Sequence, residues 1–236
     1  MMERQHTTPF RERALAALEV PALVAVPVAL VGLGLVGVDA TAGLTLVVAL
    51  LALLLVFASF EASRPALRQL MPTAVLAAAA AAGRVLFAPL PDVKPVSAIA
   101  IVAGAALGRR SGFVVGAMAA LISNFFFGQG PWTPWQMYAW GLVGYVGGAL
   151  GEKDLLSHAP VLYGWAFASG PVYGLILNGY HVLGYVRPLT WPAVALACAA
   201  SVPLDVVHGL ATVAFLAATW LPWGRAIRRV VAKYGL

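Results

Sequence analysis

Long apolar stretches alternate with short polar ones along the whole chain. Eight blocks stand out, at residues 20–38, 42–60, 66–87, 96–107, 112–127, 135–150, 159–180 and 193–221. A helix needs about 20 apolar residues to cross a hydrocarbon core, so the pattern predicts an all-α, polytopic membrane helix bundle. Block 96–107 is short for a span, and only Gly108-Arg109-Arg110-Ser111 separates it from the next. These two blocks are expected to form a tight helical hairpin. The polar stretch 1–13 precedes the first block without a signal-peptide cleavage pattern and is expected to be a cytoplasmic tail.

Composition agrees with that reading. Of 236 residues, 61% are hydrophobic and only 10% are charged, where a soluble domain carries roughly a quarter. The single cysteine, Cys198, sits inside an apolar run, which excludes a disulfide framework and a thiolate metal cluster; no metal site and no cofactor are expected. The net charge of +6 could suggest nucleic acid, but the cations cap the apolar blocks instead of forming a stripe. No nucleic-acid surface is expected. With alternate connections assigned to opposite sides of the bilayer, twelve Lys and Arg fall on one side and three, Arg84, Lys94 and Arg187, on the other. This asymmetry predicts eight spans in the cell membrane with both termini cytoplasmic.

The connections with few cations differ in chemistry too. Segments 88–95, 128–134 and 179–192 are rich in Pro, Gly, Trp and Tyr, and form either a binding mouth or an interfacial aromatic belt. Trp220 and Trp223, beside arginines, suit the belt. In segment 124–137, Pro131 and Pro134 cannot continue a helix and Gly128 and Gly130 permit a turn. Gln129, Thr133 and Gln136 then stand among the rings of Trp132 and Trp135, a mixture suited to a ligand with flat faces and polar edges. Arg84 lies within the end of an apolar helix, where it must snorkel or bind something, and binding is favoured. Asp92, Lys94, Tyr180, His181, Tyr185 and Arg187 fall near the same surface. Asp205 and His208, at i and i+3, share a helix face and are expected to form a buried hydrogen-bonded pair joined by Asn178 or Asn124; ligand contact is the alternative.

Segments 66–84, 108–112 and 124–137 together resemble the substrate-binding S components of energy-coupling factor (ECF) vitamin transporters. The resemblance covers residues 66–221, a six-helix core, and divides the chain into 1–62, a tail with two extra transmembrane helices, and 63–236, the core with a basic tail. It implies a non-enzymatic membrane protein that captures a vitamin outside and docks on a T protein driven by two ATPase subunits. Ala74, Ala77, Ala78 and Ala81 match the spacing of the family's docking alanines, although small residues at such spacing also serve internal helix packing. The residues expected to line the ligand site are Arg84, Lys94, Gln129, Trp132, Thr133, Trp135, Gln136, Tyr180 and His181. Their aromatic, amide-bearing mixture resembles the cobalamin branch of the family, and riboflavin would fit almost as well. Two other classes compete. An intramembrane enzyme could use Ser169-Gly170 with His181 or His208, but Phe167 breaks the rhomboid-like glycine pattern. A complete secondary transporter would show repeated halves, and none is present. The chain also lacks a phosphate-binding loop with lysine, so it cannot hydrolyse ATP itself.

Overall fold

The computed structural model describes residues 9–36, 41–63, 65 and 67–234. Its helices are α1 (Pro9–Val36), α2 (Thr41–Ala62), α3 (Leu67–Leu86), α4 (Val96–Leu107), α5 (Arg109–Phe127), α6 (Thr133–Glu152), α7 (Ala159–Tyr185) and α8 (Trp191–Tyr234). Each predicted block is one helix, and no strand occurs among the described residues. Five helical segments are long and apolar enough to cross a membrane: Glu12–Leu35, Ala42–Ala62, Arg109–Phe127, Ala159–Tyr185 and Trp191–Ile227. The chain is therefore a multi-pass membrane helix bundle, with five such spans among the described residues where eight were expected. Arg4, Arg64 and the tail before residue 9 lie outside the described residues.

At 12 residues, α4 is about 18 Å long, too short to span alone. It meets α5 through Gly108 alone, whose φ of 91° and ψ of 158° suit glycine and almost nothing else. The expected hairpin is thus tighter than the four-residue connection suggested. Against it lies α6, the centre of the bundle, which packs on α2, α4, α5 and α7. Gly112 and Gly144 let α5 and α6 touch through their backbones; a Cβ on Gly144 would overlap the Gly112 carbonyl. Such close approach is what holds helices together in lipid, where burial of apolar surface gives no driving force.

The α1–α2 hairpin covers the other side of α5, α6 and α7, sharing an apolar cluster that includes Val26, Val56, Phe113, Trp135 and Ile176. Proline at position 27 has no N–H, so the Leu23 carbonyl four residues earlier lacks its helical partner. The Tyr138 hydroxyl of α6 donates to that carbonyl at 2.6 Å.

The register of α3 divides the predicted docking alanines. Ala77 and Ala81 are buried with Ala80, facing the bundle, whereas Ala74, Ala78 and Ala82 form an exposed stripe with Met71 and Val75. Ala77 and Ala81 are therefore packing residues and not surface ones, because α3 turns that face to α4 and α5. The 44 residues of α8 extend about 66 Å, beyond a hydrocarbon core of about 30 Å.

Candidate functional site at the Pro-rich end

The connections 87–95 and 128–132 lie at one end of the bundle, where Arg84 near the end of α3 meets the end of α5 and the start of α6. The Arg84 guanidinium donates to Ser123 Oγ at 2.7 Å and to Asn124 Oδ1 at 2.6 Å. Its central carbon lies over the rings of Phe127 and Trp140, 4.7 and 4.8 Å from their centroids. Asn124, wholly buried, passes the network on, its amide donating to Thr133 Oγ1 at 3.0 Å and Gln136 Oε1 at 2.8 Å. Thr133 donates in turn to Gln129 Oε1 at 2.9 Å, and Gln129 ties back to the Leu121 carbonyl. Four of the predicted site residues, Arg84, Gln129, Thr133 and Gln136, thus belong to one hydrogen-bonded chain. It forms at the turn where Pro131 and Pro134 interrupt the helix between α5 and α6.

An aromatic ladder continues inward from Arg84. Trp140 packs on Tyr173 with centroids 4.6 Å apart, and Tyr173 on His208 at 5.0 Å. Trp140 is 2% exposed, and its indole N–H has no acceptor among the described residues. A buried donor left without a partner costs about 1–3 kcal/mol. Neither Trp140 nor Tyr173 was singled out from sequence, since aromatic residues inside apolar blocks look like ordinary core.

The expected Asp205–His208 hydrogen bond is not made. His208 Nε2 pairs with Ser97 Oγ of α4 at 2.8 Å, whereas the Asp205 carboxylate accepts from Ser201 at 2.9 Å. Ser201 also accepts from Asn178 Nδ2 at 2.5 Å, so Asn178 reaches Asp205 through a hydroxyl. One helix turn gives the two side chains different neighbours: Asp205 points at Gly174 of α7, and His208 at α4. Ser169, the hydroxyl considered for an enzyme, is buried and donates to the Ala166 carbonyl of its own helix at 2.7 Å.

The remaining predicted residues lie outside that hydrogen-bonded chain. Lys94 caps α3, its ammonium reaching the carbonyls of Phe87 at 2.5 Å and Leu90 at 2.6 Å, which satisfies groups that a helix C-terminus leaves open. Near it, Asp92 sits in the left-handed region with φ 53°. Burial raises its carboxyl above the ordinary range; Lys94 opposes that shift and Asp205 reinforces it. Trp132 folds over Gly130 of its own turn and stays partly exposed. Trp135 is buried on the far side of α6, stacked on Tyr180 at 5.9 Å in the cluster shared with α1 and α2. Tyr180 bonds Tyr185 at 2.7 Å, and exposed His181 stacks on Tyr185. These four form a second aromatic group, separate from the ladder that Trp140 begins.

What the Arg84 group offers is a cation, an unused indole donor, amide groups and ring faces, all within one buried or half-buried patch. A flat, polar-edged molecule meets each of these. No curated protein and no solved structure matches the chain. The family model for the ECF-type riboflavin transporter S component matches residues 65–207, well over half of the sequence, and the chain belongs to that family.

Proposed function

We propose that this S component captures a flavin, riboflavin or a close relative, at the Pro-rich end, and that this end faces outward. The family is named for riboflavin, and nothing in it supports the corrinoid that the aromatic mouth suggested. Orientation follows the excess of Lys and Arg at the opposite end. An isoalloxazine ring has two flat faces and a row of carbonyl and ring-nitrogen acceptors along one edge. Faces of that kind suit the aromatic ladder, and acceptors suit Arg84 and the indole N–H of Trp140. One observation carries the reading: Trp140 holds a buried donor with no partner between a guanidinium and a tyrosine ring.

The site borders the α3–α4 connection, where Lys94 secures the end of α3 and Asp92 lies close enough to Asp205 to feel its charge. Binding orders the connections over the ligand. Delivery follows when an energising T protein with two ATPases engages the exposed stripe of Ala74, Ala78 and Ala82, with Met71 and Val75 beside it, and tilts the subunit.

Titration of the detergent-purified protein with riboflavin, read by quenching of flavin fluorescence, tests the substrate. Saturable quenching is expected, with Trp140→Phe weakening it several-fold because the ring face remains and the N–H is lost. Parallel thermal-shift measurements with cobalamin and thiamin serve as controls, since a ligand that binds only the folded state raises its stability. A saturable shift with cobalamin and none with riboflavin would overturn the flavin reading.

A further inference from the structure

We propose that the α1–α2 hairpin is a permanent wall of the subunit, clamped to the core through Glu19, and that the core alone, from residue 65 onward, does not make a working binding subunit. The family match begins only at residue 65, so the hairpin lies outside everything that match describes. Glu19 of α1 is 3% exposed and joins four helices. It accepts from Ser59 Oγ of α2, from Arg110 Nε of α5 at 2.5 Å and from the Tyr145 hydroxyl of α6 at 2.9 Å. Tyr138 makes a second join, through the Leu23 carbonyl that Pro27 leaves unpaired.

Removing the hairpin would strip three core groups of their partners at once: the Arg110 guanidinium and the hydroxyls of Tyr138 and Tyr145. Where that surface faces lipid, the two tyrosines have no water to turn to, and Arg110 loses its counter-charge. The core face is therefore built for a partner with a carboxylate and an open carbonyl, and this chain's own hairpin supplies both. The consequence reaches the site through α6, which carries Tyr138 and Tyr145 toward the hairpin and Gln136 and Trp140 toward Arg84. Fixing one face of that helix fixes the rotation of the other. This effect on binding rests on the flavin reading above; the clamp does not.

A protease site placed in the α2–α3 connection of the full chain tests the clamp after folding. The cleaved fragments are expected to co-elute in detergent, with riboflavin affinity within twofold of the intact protein. Cleaved Glu19→Ala/Tyr138→Phe should release the hairpin and lose at least tenfold in affinity, while the uncleaved variant stays folded because the tether keeps the hairpin at high effective concentration. Arg110→Ala should loosen the cleaved hairpin less than Glu19→Ala, which also loses the Tyr145 bond, and the two together no further than Glu19→Ala alone, the signature of one shared interaction. Dissociation of the cleaved wild-type fragments, or a hairpin-free core that binds as tightly as the whole, would overturn the proposal. If riboflavin fails to bind even the intact protein, the substrate reading falls, and co-elution still decides the clamp.

Discussion

Two arginines near opposite ends of the bundle meet opposite surroundings. Arg110 faces Glu19, and that carboxylate is filled by two further hydroxyl donors. Arg84 bonds only the neutral groups of Ser123 and Asn124 and lies over two rings; among the described residues no carboxylate stands within ion-pair distance of it. Charge closed at the basic end joins helices. Charge left open at the Pro-rich end, beside an indole donor without an acceptor, is what the proposed flavin site would use. In a membrane, where uncompensated charge is expensive, the open arrangement is the one that demands a functional explanation.

Breaking the closed charge should have the largest effect. Glu19→Ala leaves half-buried Arg110 and buried Tyr145 without their acceptor, and breaking one side of a fully buried pair costs about 3–5 kcal/mol, an upper bound here. A clear fall in the thermal midpoint of the detergent-solubilised protein is expected, and Glu19→Leu with Arg110→Leu should recover most of it. An unchanged midpoint for Glu19→Ala would remove the distinction between the two arginines. Breaking the open charge should act on binding more than on folding. Arg84→Ala is expected to weaken riboflavin at least tenfold, about 1.4 kcal/mol, with a smaller loss of stability than Glu19→Ala. Arg84→Lys should restore only part of the affinity, since an ammonium can replace the one nitrogen that donates to Ser123 and Asn124 but presents no flat face to Trp140. A larger fall in midpoint than in affinity would make Arg84 a structural residue like Arg110.

Hydropathy made the bundle legible because each block of apolar residues had to become a helix in lipid. Block 96–107 matches α4 to the residue, while α1 begins at Pro9 and α8 runs to Tyr234, well past their blocks. Helix can continue into polar sequence, and a hydropathy pattern does not see it there. The turn network of Gln129, Thr133 and Gln136 was legible because two prolines and two glycines confined it. Glu19 was not: it stands one residue before an apolar block, where a carboxylate looks like a boundary marker. Trp140 and Tyr173 were hidden for the converse reason, being apolar enough to pass as core. For Asp205 and His208, sharing a helix face did not settle partners, since the neighbours belong to α7 and α4. The division of the alanines between Ala77 and Ala81 inside and Ala74 and Ala78 outside needed the packed register of α3.

Smaller effects sharpen the open side. Gln129→Ala removes one bond to Thr133 and one to the Leu121 carbonyl, each worth about 0.5–1.5 kcal/mol net, while Arg84 and Trp140 stay in place. Riboflavin affinity should fall less than for Arg84→Ala, by roughly threefold in the same titration on the scale of one such bond. A loss exceeding that of Arg84→Ala would move the centre of the site to the α5–α6 turn.

The smallest expected effect concerns Asp92, whose carboxyl burial raises from its ordinary value of 3.8 against the pull of Lys94. A raised value in the folded protein means that the protonated form is favoured there. That contribution to stability is present below the ordinary value and is lost as pH rises through the raised one. Asp92→Asn stays neutral throughout, so at neutral pH it should melt slightly above the wild type. The difference should shrink on acidification and vanish once both carboxyl states are protonated. Thermal midpoints of the two proteins across the acid range give the sign directly. A variant that melts below the wild type at neutral pH, with the gap closing in acid, would mean that attraction to nearby cations outweighs burial. A carboxylate would then close the Pro-rich end much as Glu19 closes the basic one, and the open charge assigned to Arg84 would have to be shared with Asp92.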